Sequence, residues 1–272
     1  MTGTSRYVHG THPGEQRRLT DLNALINRAS LEALAPRTGE HALDVGSGLG
    51  QFARALARAT GERVVGVERS PEQLARAEAL AADAGEGGLV DFRSGDAVAL
   101  PLSAQEWGRF DLAHTRFLLE HVPAPQEVVN EMARAVRSGG RVVLEDDDHE
   151  ALRLWPEPPG VCTVWRAYIR TYDRLGNDPH VGRRLVQLLA DAGLAPRRIA
   201  LLPFGACAGE PTFAAYVANL GSIFDGARDA ILATGGVSVA AFDEAQAALR
   251  AWGLRRDAAF WYTISWAEAV KP

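Results

Sequence analysis

Residues Leu43–Gly50 read Leu-Asp-Val-Gly-Ser-Gly-Leu-Gly, and no other stretch of the chain restricts its fold as tightly. An apolar run passes directly into glycines at 46, 48 and 50. Alternate glycines let the backbone turn sharply and leave no side chain between it and a ligand lying across a strand tip. A second apolar run, Arg63–Val67, follows and ends at Glu68. A carboxylate about twenty residues beyond such a loop can accept hydrogen bonds from both hydroxyls of a ribose. The pair predicts a site for an adenosine-bearing cofactor on the first two strands of a parallel sheet.

From His41 onward, short apolar segments alternate with helical ones, the pattern of a parallel sheet covered on both faces. Strands are predicted at His41–Val45, Arg63–Val67, Leu89–Arg93, Phe110–His114 and Arg141–Glu145. A helix follows the glycine loop through Phe52, Ala55, Leu56 and Ala59. Ser70-Pro71-Glu72 starts another, with serine as cap and proline in the first turn. A third spans Ala124 to Arg137. Trp155–Gly160, with three prolines, cannot be regular structure and marks a linker. Beyond it we expect helices at Val161–Leu175 and Val181–Ala192 and a strand at Arg197–Leu202. Helical stretches near Thr212–Leu232 and Ser238–Trp252 and a last strand at Ala258–Ala267 complete the chain. A bare sheet needs only a hairpin before that last strand, so residues 208–253 read as a lid. The predicted organisation is a helical cap segment at 1–38, with a helix at about Gly14–Leu34, and a core at 39–150. A helical cap and connecting helix follow at 151–194, then the remaining strands with their lid at 195–272.

Ligands of open parallel sheets sit beyond the carboxyl ends of the strands. Four such positions agree: Gly46, Ser47, Gly48 and Gly50; Glu68 and Arg69; Gly95, Asp96 and Ala97; Thr115 and Arg116. Gly-x-Gly-x-Gly departs from the Gly-x-Gly-x-x-Gly of dinucleotide enzymes, because Gln51 and Phe52 stand where a small residue would pack under a pyrophosphate. Preceded by Asp44, the loop resembles motif I of the class I S-adenosylmethionine methyltransferases. Phe110–Val122 with Pro125, and Ser138–Leu144, resemble that family's later motifs. The likeness spans about residues 39 to 147. Tyr7-Val8-His9-Gly10 and the closing Trp266-x-x-Ala269-Val270-Lys271-Pro272 resemble the ubiquinone-biosynthesis-like, small-molecule group. The resemblance implies an α/β, Rossmann-like, seven-stranded and mostly parallel sheet with helical cap insertions. It also implies S-adenosylmethionine as cofactor, with Asp44 and the glycines around its methionine part, Glu68 on the ribose, and Asp96 with Ala97 at the adenine edge. The acceptor is then a small, aromatic or heterocyclic molecule.

Methyl transfer from a sulfonium is an in-line displacement and strictly requires only alignment and exclusion of water. A hydroxyl or amine acceptor also needs a base. Glu145-Asp146-Asp147-Asp148-His149 lies just past the fifth strand, on the ligand edge. It can be a solvated charge run or helix cap, it can supply an acid–base group in Asp147 or His149, or it can hold magnesium. Metal ranks last, because the resemblance is to metal-independent enzymes. His114 and Arg116 share one face of the fourth strand; His114 either meets substrate or packs inside the sheet. Tyr7, Trp165, Tyr168, Phe213 and Tyr216 would suit a flat acceptor, although aromatics at helical spacing also build cores.

Composition closes other classes. The chain is 47% hydrophobic and 23% charged, with a net charge of −5, which argues against a nucleic-acid substrate. No run approaches a membrane span, and Met1–Arg6 has no apolar core after it, so a soluble protein without a secretory signal is expected. Two cysteines, Cys162 and Cys207, fit a reducing cytoplasm. A homodimer is compatible with all of this. The rivals are a protein of the same fold that binds the cofactor without transferring methyl, and a nicotinamide-dependent oxidoreductase.

Overall fold

A computed structural model describes residues 26–272. They form two compact units. One comprises Asn27–Asp148, His180–Leu202 and Ile264–Pro272; the other, among the described residues, comprises Ile26, His149–Pro179 and Pro203–Thr263. The expected core at 39–150 lies in the first unit except for its last two residues, and the expected lid at 208–253 lies wholly in the second. Of the predicted N-terminal helix only residues 26–34, helix α1, are described, and Tyr7 lies outside the described residues.

In the first unit the chain runs β1 (Ala42–Val45), α2 (Gln51–Thr60), β2 (Val64–Glu68), α3 (Pro71–Asp83), β3 (Val90–Ser94), β4 (Phe110–Arg116), α4 (Pro125–Ala135) and β5 (Val136–Asp147). These strands are parallel in the order β3-β2-β1-β4-β5, and β8 (Ala259–Val270) runs antiparallel to β5 from Ile264 to Val270. The strand β7 (Ala195–Cys207) pairs with β8. Strands one to three step outward in one direction, then β4 returns to the other side of β1. The tips of β1 and β4 therefore adjoin where strand order reverses, the place where open α/β sheets bind ligands.

Alternation along β1 sorts its two faces. Leu43 and Val45 are fully buried in a cluster with Val128, Val129 and Met132 of α4 and Leu185 and Leu188 of α6 (Leu185–Asp191). Burying side chains of this kind contributes roughly 1.5–3 kcal/mol each. Asp44 turns the other way, and its partner His114 packs against Phe52 of α2 with the rings tilted and their centroids 4.3 Å apart. Below the sheet, Arg141 is buried and donates to Glu40, to Glu268 and to the Leu34 carbonyl, fastening the end of α1 to β5 and β8. Local signals hold where they were specific: Ser70 Oγ accepts the Gln73 N–H at 3.3 Å, with Pro71 opening α3.

The second unit packs α5 (Val161–Ile169), α7 (Phe213–Gly226), α8 (Arg228–Ala233) and α9 (Val239–Trp252) around an aromatic core. Strand β6 (Arg153–Trp155) pairs antiparallel with Ala259–Trp261. Its three residues are too few to show strand alternation, and with it the described residues hold eight strands where seven were expected. Predicted helices also break where local chemistry intervenes. The Thr171 hydroxyl donates to the Tyr168 carbonyl at 2.7 Å, so the helix expected to reach Leu175 ends at Ile169 and resumes as a 3-10 turn at Tyr172. The helix expected from Val181 starts as a 3-10 turn, because Gly182 lies against β5: a Cβ there would be 2.7 Å from the Asp147 carbonyl oxygen. The long pattern at Thr212–Leu232 divides into α7 and α8 at Ala227. Among the described residues no helix is long and apolar enough to cross a membrane.

Candidate active site

The glycine loop is built from backbone hydrogen bonds. The N–H groups of Gly46 and Ser47 both donate to the Val67 carbonyl, at 2.8 and 2.9 Å, and Gly50 N–H closes the turn on Ser47. Gly48 and Gly50 adopt left-handed φ values of 53° and 68°, which only glycine takes without strain. Their surroundings differ. A Cβ on Gly50 would stand 2.4 Å from Phe92, whereas one on Gly48 would meet only the tip of Gln73, at 3.3 Å. Gly50 is therefore glycine because the neighbouring strand presses on it, and Gly48 leaves an open cradle.

Glu68 joins that cradle to the next strand end. Its Oε2 accepts the Gly48 N–H at 3.0 Å and its Oε1 the Ser70 N–H at 2.7 Å. A carboxylate offers about four acceptor positions, so two donors leave capacity for a diol. Ser47 Oγ is buried and has no hydrogen-bond partner among the described residues, a polar atom of the kind a bound polar ligand would satisfy. Both features fit the methionine and ribose ends of the expected cofactor. Gly95 N–H donates to the Glu68 carbonyl at 3.1 Å, bringing the tip of β3 alongside. Asp96, half exposed, accepts the Val98 N–H, and its carboxylate is 4.0 Å from Arg69. Ala97 is buried in the apolar cluster, and Thr115, fully buried, donates its hydroxyl to the Val45 carbonyl at 2.8 Å.

Behind the loop lies a buried polar chain. Asp44 Oδ1 is 2.8 Å from His114 Nδ1, and His114 Nε2 is 3.3 Å from Glu145 Oε1. Ser30 donates to Glu145 Oε2 at 2.6 Å, and Arg116 donates to Ser30 at 3.1 Å and to Asn27 at 2.5 Å. The His114 ring is 1% exposed. Burial opposes its charge, yet hydrogen bonds to Asp44 and Glu145 raise its pKa above the usual histidine value. Burial likewise pushes Glu145 up, and His114 with Arg116 brings it net below the ordinary carboxylate range. Asn27 and Ser30 carry no signal in the sequence, since both sit in an unremarkable helical pattern. Phe117, at the left-handed φ of 53°, and Leu118, whose side chain packs 3.1 Å from the Cβ position of Gly46, also belong here, one and two positions beyond the end of β4.

The acidic run, which begins within the last residues of β5 and continues past it, disperses. Glu145 joins the buried chain. Asp146, fully buried, accepts the N–H groups of Leu118, Leu119 and Asp147. Burial, with Glu120 and Asp147 beside it, still holds its pKa well above the usual carboxylate range. Asp147 is half-buried, and Asp148 receives two hydrogen bonds from Arg183, at 2.7 and 2.9 Å. In the second unit, His149 is buried with Nε2 3.1 Å from the Tyr172 hydroxyl and Nδ1 3.3 Å from that of Tyr262. Trp165 donates to the His149 carbonyl at 2.7 Å, and the Tyr168 hydroxyl is 3.0 Å from that of Tyr172. Phe213 packs on Trp252 and Tyr216 on Phe260, so Trp165, Tyr168, Phe213 and Tyr216 all belong to this unit's aromatic core.

Residues 43–144 match the family model of the methyltransferase domain. That match takes in less than half of the chain. The chain is 32% identical over 124 residues to the ubiquinone/menaquinone biosynthesis C-methyltransferase UbiE of Roseobacter denitrificans, covering 45% of this chain and 48% of that protein. Among solved structures, it shares its fold with the [4+2]-cyclase SpnF, with a TM-score of 0.57 and 21% identity over 90% of this chain and 80% of that one. A geranyl diphosphate C-methyltransferase from Streptomyces coelicolor, solved with Mg2+, geranyl diphosphate and S-adenosyl-L-homocysteine, superposes with a TM-score of 0.55 and 15% identity, over 96% and 85% of the two chains. The chain spans about half the length of the curated relatives it matches first. The domain match covers the glycine loop, Glu68 and His114, and ends at Leu144, before the acidic run.

Proposed function

We propose that the chain is an S-adenosylmethionine-dependent methyltransferase acting on a small, aromatic or heterocyclic molecule. The observation that carries this reading is the cradle at the reversal of strand order: an open Gly48, a buried and unpartnered Ser47 hydroxyl, and Glu68 at the adjoining strand end. Asp44 and the loop would border the methionine half of the cofactor, Glu68 would hold the ribose hydroxyls, and Asp96 with Ala97 would flank the adenine. When bound, the cofactor supplies an electrophilic methyl group. The chain's own residues fix its direction and exclude water, which is most of what an in-line displacement demands. A phenol or amine acceptor additionally needs a proton acceptor, and we assign that role to His149, with Asp147 as the alternative.

The test is a thermal-shift and labelling experiment. S-adenosylhomocysteine should raise the unfolding midpoint and NAD should leave it unchanged. Stabilisation by NAD alone would remove the methyltransferase reading. The fold likeness to a [4+2]-cyclase keeps a second reading in view, in which the cofactor is bound but its methyl is retained. Labelled methyl recovered in an acceptor distinguishes the two.

A further inference from the structure

We propose that His114 is a positioning residue, a doubly hydrogen-bonded cation that clamps Asp44 of the glycine-loop strand to Glu145 and, through Ser30, to helix α1. This rests on the methyltransferase reading above. The geometry is a closed line of contacts: Asp44 to His114 at 2.8 Å, His114 to Glu145 at 3.3 Å, and Ser30 to Glu145 at 2.6 Å. Both ring nitrogens face carboxylate oxygens, so both must carry protons for the two contacts to be hydrogen bonds to carboxylates at the same time. An imidazolium so engaged has no lone pair and cannot serve as a base, which separates His114 from His149.

Charge balance favours the same state, because Glu145 is held below the ordinary carboxylate range. The charged groups facing the ring are Asp44 from β1, Glu145 from β5 and, along its own strand, Arg116; α2 presents the apolar Phe52. Two buried anions beside one guanidinium leave a negative charge uncompensated, and burial makes such a charge expensive unless a second cation is present. His114 is that cation. Asp44 stands two residues before Gly46, so its orientation is passed directly to the cradle. Ser30 and Asn27 add the other end, since the helix they belong to is held by the same chain of hydrogen bonds.

The proposal is tested by the affinity of the whole protein for S-adenosylhomocysteine, measured calorimetrically across pH. In the wild type, affinity should be level on the acid side and decline as pH rises through the raised pKa of His114. The sign follows from the clamp: the cradle is held in its binding geometry only while the ring is protonated, a state the fold favours below the raised pKa of His114 and loses above it. His114→Gln, an amide with no charge to lose, should bind about tenfold more weakly and without that decline. Adding Glu145→Gln should recover part of the loss, because one anion no longer needs compensation. A merely structural role would lower the unfolding midpoint of His114→Gln and leave both affinity and its pH profile unchanged; that result would overturn the proposal while the methyltransferase reading stands. No binding by the wild type would overturn that reading, and the clamp's function with it.

Discussion

Gly48→Ala separates a glycine required for folding from one required for a ligand. At Gly48 the backbone is left-handed, and an added Cβ would meet only the flexible end of Gln73, at 3.3 Å. Holding an L-residue there costs about 1–2 kcal/mol. Reduced freedom of the unfolded chain returns about 0.4–1 kcal/mol. The net loss of stability should be on the order of 1 kcal/mol by that difference. Gly61→Ala is the control, with φ of 75° and nothing within 4 Å of its Cβ position, and it should lose the same amount. Gly50→Ala adds a collision with Phe92 at 2.4 Å. Overpacking of this kind costs a further 1–3 kcal/mol or about that. Urea unfolding of the three variants gives the stability series, and calorimetry with S-adenosylhomocysteine gives the binding series. Gly48→Ala and Gly61→Ala should match in the first and differ in the second, with binding impaired only at Gly48. Normal affinity in Gly48→Ala would refute the cradle, and a Gly50→Ala midpoint equal to that of Gly61→Ala would refute the packing argument.

Glu68→Ala should weaken S-adenosylhomocysteine binding by about 2 kcal/mol, the scale of lost charge-assisted hydrogen bonds, and unchanged affinity in calorimetry would contradict the ribose assignment. Glu106 is held at a pKa of about 2, against an ordinary 4.5, by its hydrogen bonds to Arg93, with burial opposing and Ser103 adding to the effect. A depressed carboxylate stabilises above its unfolded pKa and is lost as pH falls through its folded one. Acid unfolding of Glu106→Gln should therefore lack the part of the wild-type stability loss that falls between pH 4.5 and about 2. His149→Ala should keep near-normal affinity for S-adenosylhomocysteine while turnover drops; full turnover across pH would leave His149 as a member of the aromatic core alone.

The order of strands and helices, the glycine loop and Glu68 were readable along the chain because each depends on neighbours a few residues away. A proline after Ser70 starts a helix wherever that helix ends up, and an apolar run breaking into glycines turns sharply in any context. Ser238 likewise caps its helix by accepting the Ala241 N–H, from a short and specific local pattern. Signals of that range do not say which side chain meets which. The five consecutive polar residues from Glu145 to His149 look equivalent in sequence, yet they divide among a buried charge chain, the backbone of Leu118 and Leu119, Arg183 and an aromatic core. His114 could be placed on a strand but not charged, because its partners lie 70 residues before it and 31 after it. The strand Arg153–Trp155 was hidden because its only support is a pairing with residues more than a hundred positions later. Periodicity and capping record local backbone preference; protonation, burial and partner choice depend on desolvation and on groups that come together only when distant segments pack.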